Sequence, residues 1–253
     1  MLIVRDSQVK KLFYKEQEID KILDWNGNVV FEKESAPVMT NTIKFHTTSA
    51  VTSSQNFTVS YTDSTNYTVS YSEPSKEYSL SIPTDKIVTK IDFDNTMVDE
   101  VKVSCKINLS NGFFTNNPKT IRILNCDATS STNLFSTFRG ATNVETIEMK
   151  DSDFSNVTDM SYMFGNCSAT TIVIANCNTS NVTGMFRMFH SCRNLTSLDL
   201  SGWNLSRPIT NGMFDYCDSL KTIYMRDCSQ NTIDRIKYEL EKSHILDQVT
   251  IIT

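Results

Sequence analysis

The chain has 253 residues, of which 39% are hydrophobic and 21% charged. That composition is globular, long enough for two or three domains, and excludes an intrinsically disordered chain. A formal net charge of −5 with no basic stripe argues against nucleic acid as a partner, because phosphate binding needs clustered Lys and Arg.

The opening MLIVRDSQVKK carries Arg5 and Asp6 and no apolar run of the kind a secretory signal needs, so no signal peptide is expected. No segment is apolar for the length that spans a bilayer, and neither membrane insertion nor lipidation is expected. Seven cysteines, an odd number without a Cys-x-x-Cys pair, argue against a disulfide framework or a zinc site and fit a chain folded in a reducing compartment. Asn-x-Ser/Thr triplets at Asn56, Asn66, Asn156, Asn178, Asn181 and Asn194 are read as turn and ladder residues.

Residues 1–33 predict a small β-hairpin unit. Val9–Tyr14 is echoed by Ile19–Trp25, and Asn26-Gly27 stands between apolar residues and Val29–Phe31. Asn-Gly tolerates positive φ and is a strong two-residue hairpin signal. Residues 34–41 read as a linker.

Residues 42–117 predict a small all-β domain, a sandwich or meander acting as a spacer. Asn56–Thr65 (NFTVSYTDST) and Asn66–Ser75 (NYTVSYSEPS) are near-copies in tandem. Phe57, Val59 and Tyr61 alternate with polar residues, as do Tyr67, Val69 and Tyr71, and Tyr78, Leu80 and Ile82, the period of half-buried strands. Asp92 and Asp94 raise the question of calcium, but one Asp-x-Asp without a Gly turn or a bidentate Glu is a weak cation signal.

Residues 118–253 predict a repeat array. Phe138, Phe164, Phe189 and Phe214 recur about every 25 residues, and so do the triplets Ile121/Ile123, Ile147/Met149, Ile172/Ile174, Leu198/Leu200 and Ile223/Met225. Such a period marks stacked supersecondary units. Each triplet predicts a strand with two residues inward and one outward, in parallel with its neighbours. Met160, Met163, Phe164 and Cys167, repeated as Met185, Met188, Phe189 and Cys192, have i, i+3, i+4, i+7 spacing, which predicts a short helix in each repeat, with Thr158 and Thr183 as N-caps. A second column, Cys126, Ser152, Cys177, Trp203 and Cys228, is mixed in type, as packing positions are. Gln230–Gln248 predicts a longer amphipathic helix capping the array, and the terminal VTIIT a last strand.

The Met and Cys positions pose the question of a soft-metal site. The corresponding residues of the first repeat, Leu134, Thr137 and Ala141, are unable to act as soft ligands, which favours core packing. His46, His190 and His244 sit in unrelated contexts, and no nucleophile elbow, phosphate loop or zincin motif occurs. No catalytic residue, cofactor or metal is expected. The outward positions are different. The residue before each triplet is Thr120, Thr146, Thr171, Ser197 or Thr222, a hydroxyl column. The triplet centres are Arg122, Glu148, Val173, Asp199 and Tyr224, and the next outward column is Leu124, Lys150, Ala175, Ser201 and Arg226. These two columns change chemistry at every rung while their neighbours stay fixed. Arg122, Glu148, Val173, Asp199, Tyr224, Lys150 and Arg226 are therefore the candidate binding face.

The segments Asn156–Cys167 (NVTDMSYMFGNC), Asn181–Ser206 (NVTGMFRMFHSCRNLTSLDLSGWNLS) and Gly212–Met225 (GMFDYCDSLKTIYM) resemble the BspA-type leucine-rich repeats, also found in mycoplasma lipoproteins and bacterial surface proteins. The resemblance implies an α/β leucine-rich-repeat solenoid with a C-terminal helical cap and a role in adhesion or protein binding, with no catalytic residues to carry over. Surface members of that family carry export signals or wall anchors, which are not read here. The N-terminal VKKLFYKEQEIDKILDWNGNVVFEK resembles the hairpin unit that opens many phage virion proteins. Together the resemblances imply a structural protein of a tailed bacteriophage, a fibre, spike or decoration located on the virion. Residues 1–33 would contact other virion proteins, and the repeat face a host surface glycan or protein or a neighbouring virion protein. A homo-oligomer, for instance a trimer, is expected, and the alternative is a bacterial leucine-rich-repeat adhesin or protein-interaction module.

Overall fold

The computed structural model describes residues 41–48, 51, 55–93, 98–115, 118–205 and 212–253, and the backbone of four short strands before them. Two compact units divide the chain, residues 1–38 and 39–253. In the first, β1 (Phe13–Tyr14) pairs antiparallel with β2 (Gln17–Glu18), and β3 (Lys21–Leu23) with β4 (Val29–Glu32). In β3–β4, Lys21 lies opposite Glu32 and Ile22 opposite Phe31, and the register shifts before Leu23 meets Val29. The dipeptide Asn26-Gly27, residues 34–40 of the expected linker and Asp94 lie outside the described residues.

The second unit begins with β5 (Thr42–Thr47), β6 (Gln55–Tyr61), β7 (Asn66–Tyr71), β8 (Glu77–Ser81), β9 (Val88–Phe93), β10 (Val98–Ser104) and β11 (Phe114–Thr115). The tandem near-copies form the antiparallel pair β6–β7, with Phe57 opposite Val69 and Val59 opposite Tyr67. They belong to a four-stranded sheet of order β11-β9-β6-β7. In β6 and β9 alternation does what it predicts, with Phe57, Val59, Ile91 and Phe93 buried while Thr58 and Ser60 face outward; in β7, at the margin of the sheet, Tyr71 is buried but Tyr67 is exposed. Phe45 of β5 meets Phe57 at 4.6 Å and Tyr78 of β8 at 5.0 Å, so an aromatic core joins this sheet to the larger one.

The repeat strands are β12 (Thr120–Leu124), β13 (Thr146–Lys150), β14 (Thr171–Ala175), β15 (Ser197–Asp199), β16 (Thr222–Tyr224) and β17 (Thr250–Ile252). They extend one nine-stranded sheet in the order β17-β16-β15-β14-β13-β12-β10-β5-β8, parallel from β10 to β17. β5, β8 and β10 come from the segment expected to fold as an all-β spacer, so the sheet crosses residue 118 without a break.

The expected α/β solenoid with a helical cap is overturned. Strand accounts for 35% of the described residues and helix for 8%, which makes this a β structure. The single α-helix among the described residues, α1 (Gln230–Lys242), starts at Ser229, whose Oγ accepts from Thr232 N at 3.3 Å. It does not close the array: β17 follows it and forms the edge of the sheet.

The reason lies in the 3-4-3 spacing, which two successive β-turns satisfy as well as a helix does. Met163 N–H bonds to Met160 O at 3.1 Å and Cys167 N–H to Phe164 O at 2.9 Å, each an i to i+3 closure. Tyr162 and Asn166, the third residues of these turns, have φ of 55° and 57°, the sign that type II turns require. Turn corners Met160, Met163, Phe164 and Cys167 all point into the core. Other backbone groups bond between rungs: Phe138 N–H to Met163 O (2.8 Å), Phe164 N–H to Met188 O (2.9 Å) and Phe189 N–H to Met213 O (3.0 Å). An α-helix would direct each of these N–H groups to its own chain four residues back. Thr158 and Thr183 are likewise not N-caps, since their hydroxyls donate to Thr132 O and Thr158 O on the preceding rung, both at 3.3 Å.

Between the turns and the strands lies a stacked core. Phe138, Phe164, Phe189 and Phe214 form a near-parallel ladder with centroids 5.4 to 5.6 Å apart. The mixed column proves chemically uniform. Cys126, Cys177, Trp203 and Cys228 each reach a carbonyl on the preceding rung, respectively Val103, Met149, Ile174 and Leu200, and the Ser152 hydroxyl lies 3.5 Å from the equivalent Ile123 O and 2.9 Å from Lys150 O. Cys192 and Cys217 do the same in the turn layer, to Phe164 O and Phe189 O, both at 3.0 Å. Burial pushes the Cys126 and Cys177 thiols up to about 12, so they remain neutral donors. Asn156 and Asn181 of the Asn-x-Thr triplets donate to Thr129 O (2.8 Å) and Ser155 O (2.7 Å).

Candidate binding surface

A nine-stranded sheet whose inner side is buried leaves its outer side to present side chains at the spacing of neighbouring strands, roughly 4.8 Å. Parallel pairing puts the hydroxyl column in register: Thr120 opposite Thr146, then Thr171, Ser197 and Thr222. The triplet centres follow in the next row, Arg122 opposite Glu148, Glu148 opposite Val173, Val173 opposite Asp199 and Asp199 opposite Tyr224. Lys150 lies opposite Leu124 and Ala175, and Ala175 is itself buried. Arg226 falls in the turn after β16. Its guanidinium rests over the Tyr224 ring, 4.9 Å from the centroid.

The row runs further than the repeats do. Lys102 of β10 lies opposite Arg122, and Lys44 of β5 opposite Lys102. Three cations thus stand side by side at one end, and Glu148, Val173, Asp199 and Tyr224 follow toward β17, an acidic, apolar, acidic and aromatic sequence. Local period gave no sign of Lys44 and Lys102, because they enter the row by long-range pairing.

The charges of the first rungs are largely matched to one another. Arg122 Nε lies 2.6 Å from Glu100 Oε1, and its Nη1 bonds to Glu148 Oε2. The Glu100 carboxylate first, and then Glu148, raise the Arg122 pKa above its ordinary value. Lys150 Nζ lies 3.5 Å from Glu148 Oε1, and Lys44 Nζ 3.2 Å from Glu77 Oε1. Lys102 adds an exposed cation beside this network. Asp199 accepts from Ser201 N at 2.9 Å, which fixes the turn after β15. Such a face can exchange ion pairs and hydrogen bonds with a partner and offers it the Tyr224–Arg226 stack.

At the amino ends of the repeat strands, Lys119, Glu145, Thr170 and Asn194 line a polar cleft of about 660 Å3. Lys119 Nζ and Glu145 Oε1 are 3.0 Å apart across it. The Thr170 hydroxyl and the Asn194 amide donate to backbone carbonyls of the preceding rung, at 3.2 and 3.4 Å.

A family model described as Mycoplasma protein of unknown function, DUF285, matches residues 107–244, more than half of the chain. No curated protein and no solved structure matches. The matched span takes in β12 to β16 and α1, the part in which the 25-residue period and the rung-to-rung bonding coincide.

Proposed function

The chain belongs to the DUF285 family, and on that premise we propose that it is a non-enzymatic binding protein that displays the outer face of its repeat sheet. The observation that carries this reading is the contrast between rows: inward positions are apolar and buried at every rung, whereas Arg122, Glu148, Val173, Asp199 and Tyr224 differ in chemistry from one strand to the next. A rigid ladder holding varied side chains is suited to recognition, and many copies on one scaffold convert weak contacts into high avidity.

The place of display in this proposal is the virion of a tailed bacteriophage, as a fibre, spike or decoration protein. Residues 1–33 attach it to other virion proteins, and the repeat sheet meets a host surface glycan or protein or a neighbouring virion protein. Its N-terminal sequence likeness to virion hairpin units supports this, and a homotrimer suits the symmetry of such assemblies. Mass spectrometry of purified source particles, with anti-repeat antibody labelling of intact particles, tests it: a copy in the particle and surface labelling are expected, and absence of both overturns the assignment. The second reading, a bacterial leucine-rich-repeat adhesin or interaction module, is favoured by the family description, which names Mycoplasma proteins. Capsid and tail genes beside the coding sequence support the first reading, and their absence the second.

A further inference from the structure

On the side of the core away from the strands, the turn segments carry an aromatic and guanidinium cluster that neither the sheet face nor the core uses. Tyr162 is at its centre. Phe135 and Phe186 meet the Tyr162 ring edge to face, with centroids 6.0 and 5.4 Å away. The Arg139 guanidinium lies over the same ring, 4.8 Å from its centroid, and Arg187 donates from Nη1 to its hydroxyl at 3.2 Å. Phe135 and Phe186 remain 41% and 38% exposed, unlike the fully covered phenylalanine ladder beneath.

Two features say that this cluster is more than surface packing. The first is electrostatic. Among the described residues neither Arg139 nor Arg187 is ion-paired with a carboxylate, although the chain carries a net charge of −5. Asp215 accepts from Ser243 Oγ through Oδ1 at 3.0 Å, and its Oδ2 lies beside the Arg187 stem, not in an ion pair with the guanidinium. Two cations sharing one ring, neither ion-paired among the described residues, repel each other, and an anion bound across them relieves that. The second is conformational. Tyr162 and Arg187 hold φ of 55° and 52°, and the corresponding residue of the fourth rung is Gly212 at 80°. The position favours glycine, and each non-glycine there costs about 1–2 kcal/mol; three of the four rungs carry one, Ser136 at 58° in the first, and in two of these the side chains meet in the cluster.

We propose that Phe135, Arg139, Tyr162, Phe186 and Arg187 form a binding site for an acidic oligosaccharide. A guanidinium stacked on a ring leaves its N–H edge free for bidentate contact with a carboxylate. The half-exposed Phe135 ring offers a flat apolar face to the C–H face of a sugar, and Phe186, which carries the Arg187 guanidinium 5.0 Å from its centroid, adds the apolar surface that remains to it. His190, held below its ordinary pKa by burial and by Arg187, is a neutral imidazole beside the site that can both donate to and accept from sugar hydroxyls. An extended acidic peptide fits less well. The turn N–H groups already bond to the next rung, as Tyr162 N does to Phe186 O at 2.9 Å, and no main-chain ladder is left for a peptide strand.

The test is titration of the full chain, by calorimetry, with short oligogalacturonates and oligosialates, their methyl esters, and oligoglutamate of equal charge. At least one acidic sugar series binds, and its ester binds about tenfold or more weakly, the size expected for loss of a bidentate ion pair. Arg139→Gln weakens the acid form by about the same factor, Arg139→Lys by less, and Phe186→Ala weakens acid and ester forms alike. The lysine variant keeps the result readable if the glutamine variant folds poorly. No binding of any acidic sugar at millimolar concentration, equal binding of the ester, or equal binding of oligoglutamate overturns the proposal. None of these outcomes bears on whether the protein resides in a virion, which the particle experiment reads separately.

Discussion

The indole N–H of Trp203 donates to the carbonyl oxygen of Ile174 at 2.7 Å, across one rung of the sheet and within the core. The carbonyl lies at the second inward position of its triplet, and the same bond is made at other rungs by a thiol or a hydroxyl. Trp203→Phe keeps an aromatic ring but leaves the carbonyl without this donor. We expect a loss of about 1–3 kcal/mol in urea unfolding, whereas Cys177→Ser, which keeps a donor, costs less than Cys177→Val.

Phe189 stacks between Phe164 and Phe214 at 5.4 and 5.6 Å. Phe189→Ala removes a fully buried ring and two stacking partners. A destabilisation of roughly 3–5 kcal/mol is expected by denaturant unfolding, and Phe189→Leu is expected to fall well short of that.

Ser191 distinguishes the turn from a helix by the sign of a single substitution. With φ at 59°, Ser191→Gly relieves a left-handed residue and is expected to be neutral or to stabilise by up to about 1 kcal/mol. In a helix interior the same change costs roughly 0.5–1 kcal/mol. A lowered melting temperature for this variant would contradict the turn.

Glu239 of α1 is buried, and its Oε2 has no hydrogen-bond partner among the described residues. Burial raises its carboxyl pKa, while Lys242 and the Met213 N–H pull it back in part. The folded state therefore holds the proton more tightly than the unfolded chain does. This contribution is fully present below the unfolded pKa and is lost as pH rises through the raised folded value. Glu239→Gln should match the parent at mildly acidic pH and exceed it in melting temperature near neutrality; the reverse order would refute the assignment.

Arg122 bridges Glu100 and Glu148 on the half-exposed sheet face. A double-mutant cycle with Arg122→Met and Glu148→Gln should give a coupling of about 0.2–1 kcal/mol that shrinks as salt is added. A coupling independent of ionic strength would show that packing rather than charge links the pair.

The rungs were legible because the triplets repeat their inward pair, so Ile147 and Ile172 announce their register before any coordinates do. The terminal strand was legible too, as Ile251 sits among β-branched neighbours. The turn layer was not. Corner residues spaced three and four apart look helical, and Tyr162 and Arg187 are not residues that signal positive φ. Nor was the donor column, since Cys, Ser and Trp share only a polar hydrogen. Lys44 and Lys102 could not be placed in the row from local pattern, because a strand pairing across many residues leaves no period to read. The cluster around Tyr162 escaped because its members, drawn from three successive turns, change residue type from rung to rung, Tyr162 and Arg187 at one position and Phe135, Ser161 and Phe186 at another.

The order of strands also sets how the second unit would carry load. β5 and β17 lie near opposite margins of one sheet, so tension applied between Asn41 and Thr253 runs across the strands, along their interstrand hydrogen bonds. Such a sheet peels strand by strand from its β17 margin instead of shearing many bonds at once. Under a steady pull the protein would lengthen in small steps at low force, acting as a shock absorber instead of a rigid strut.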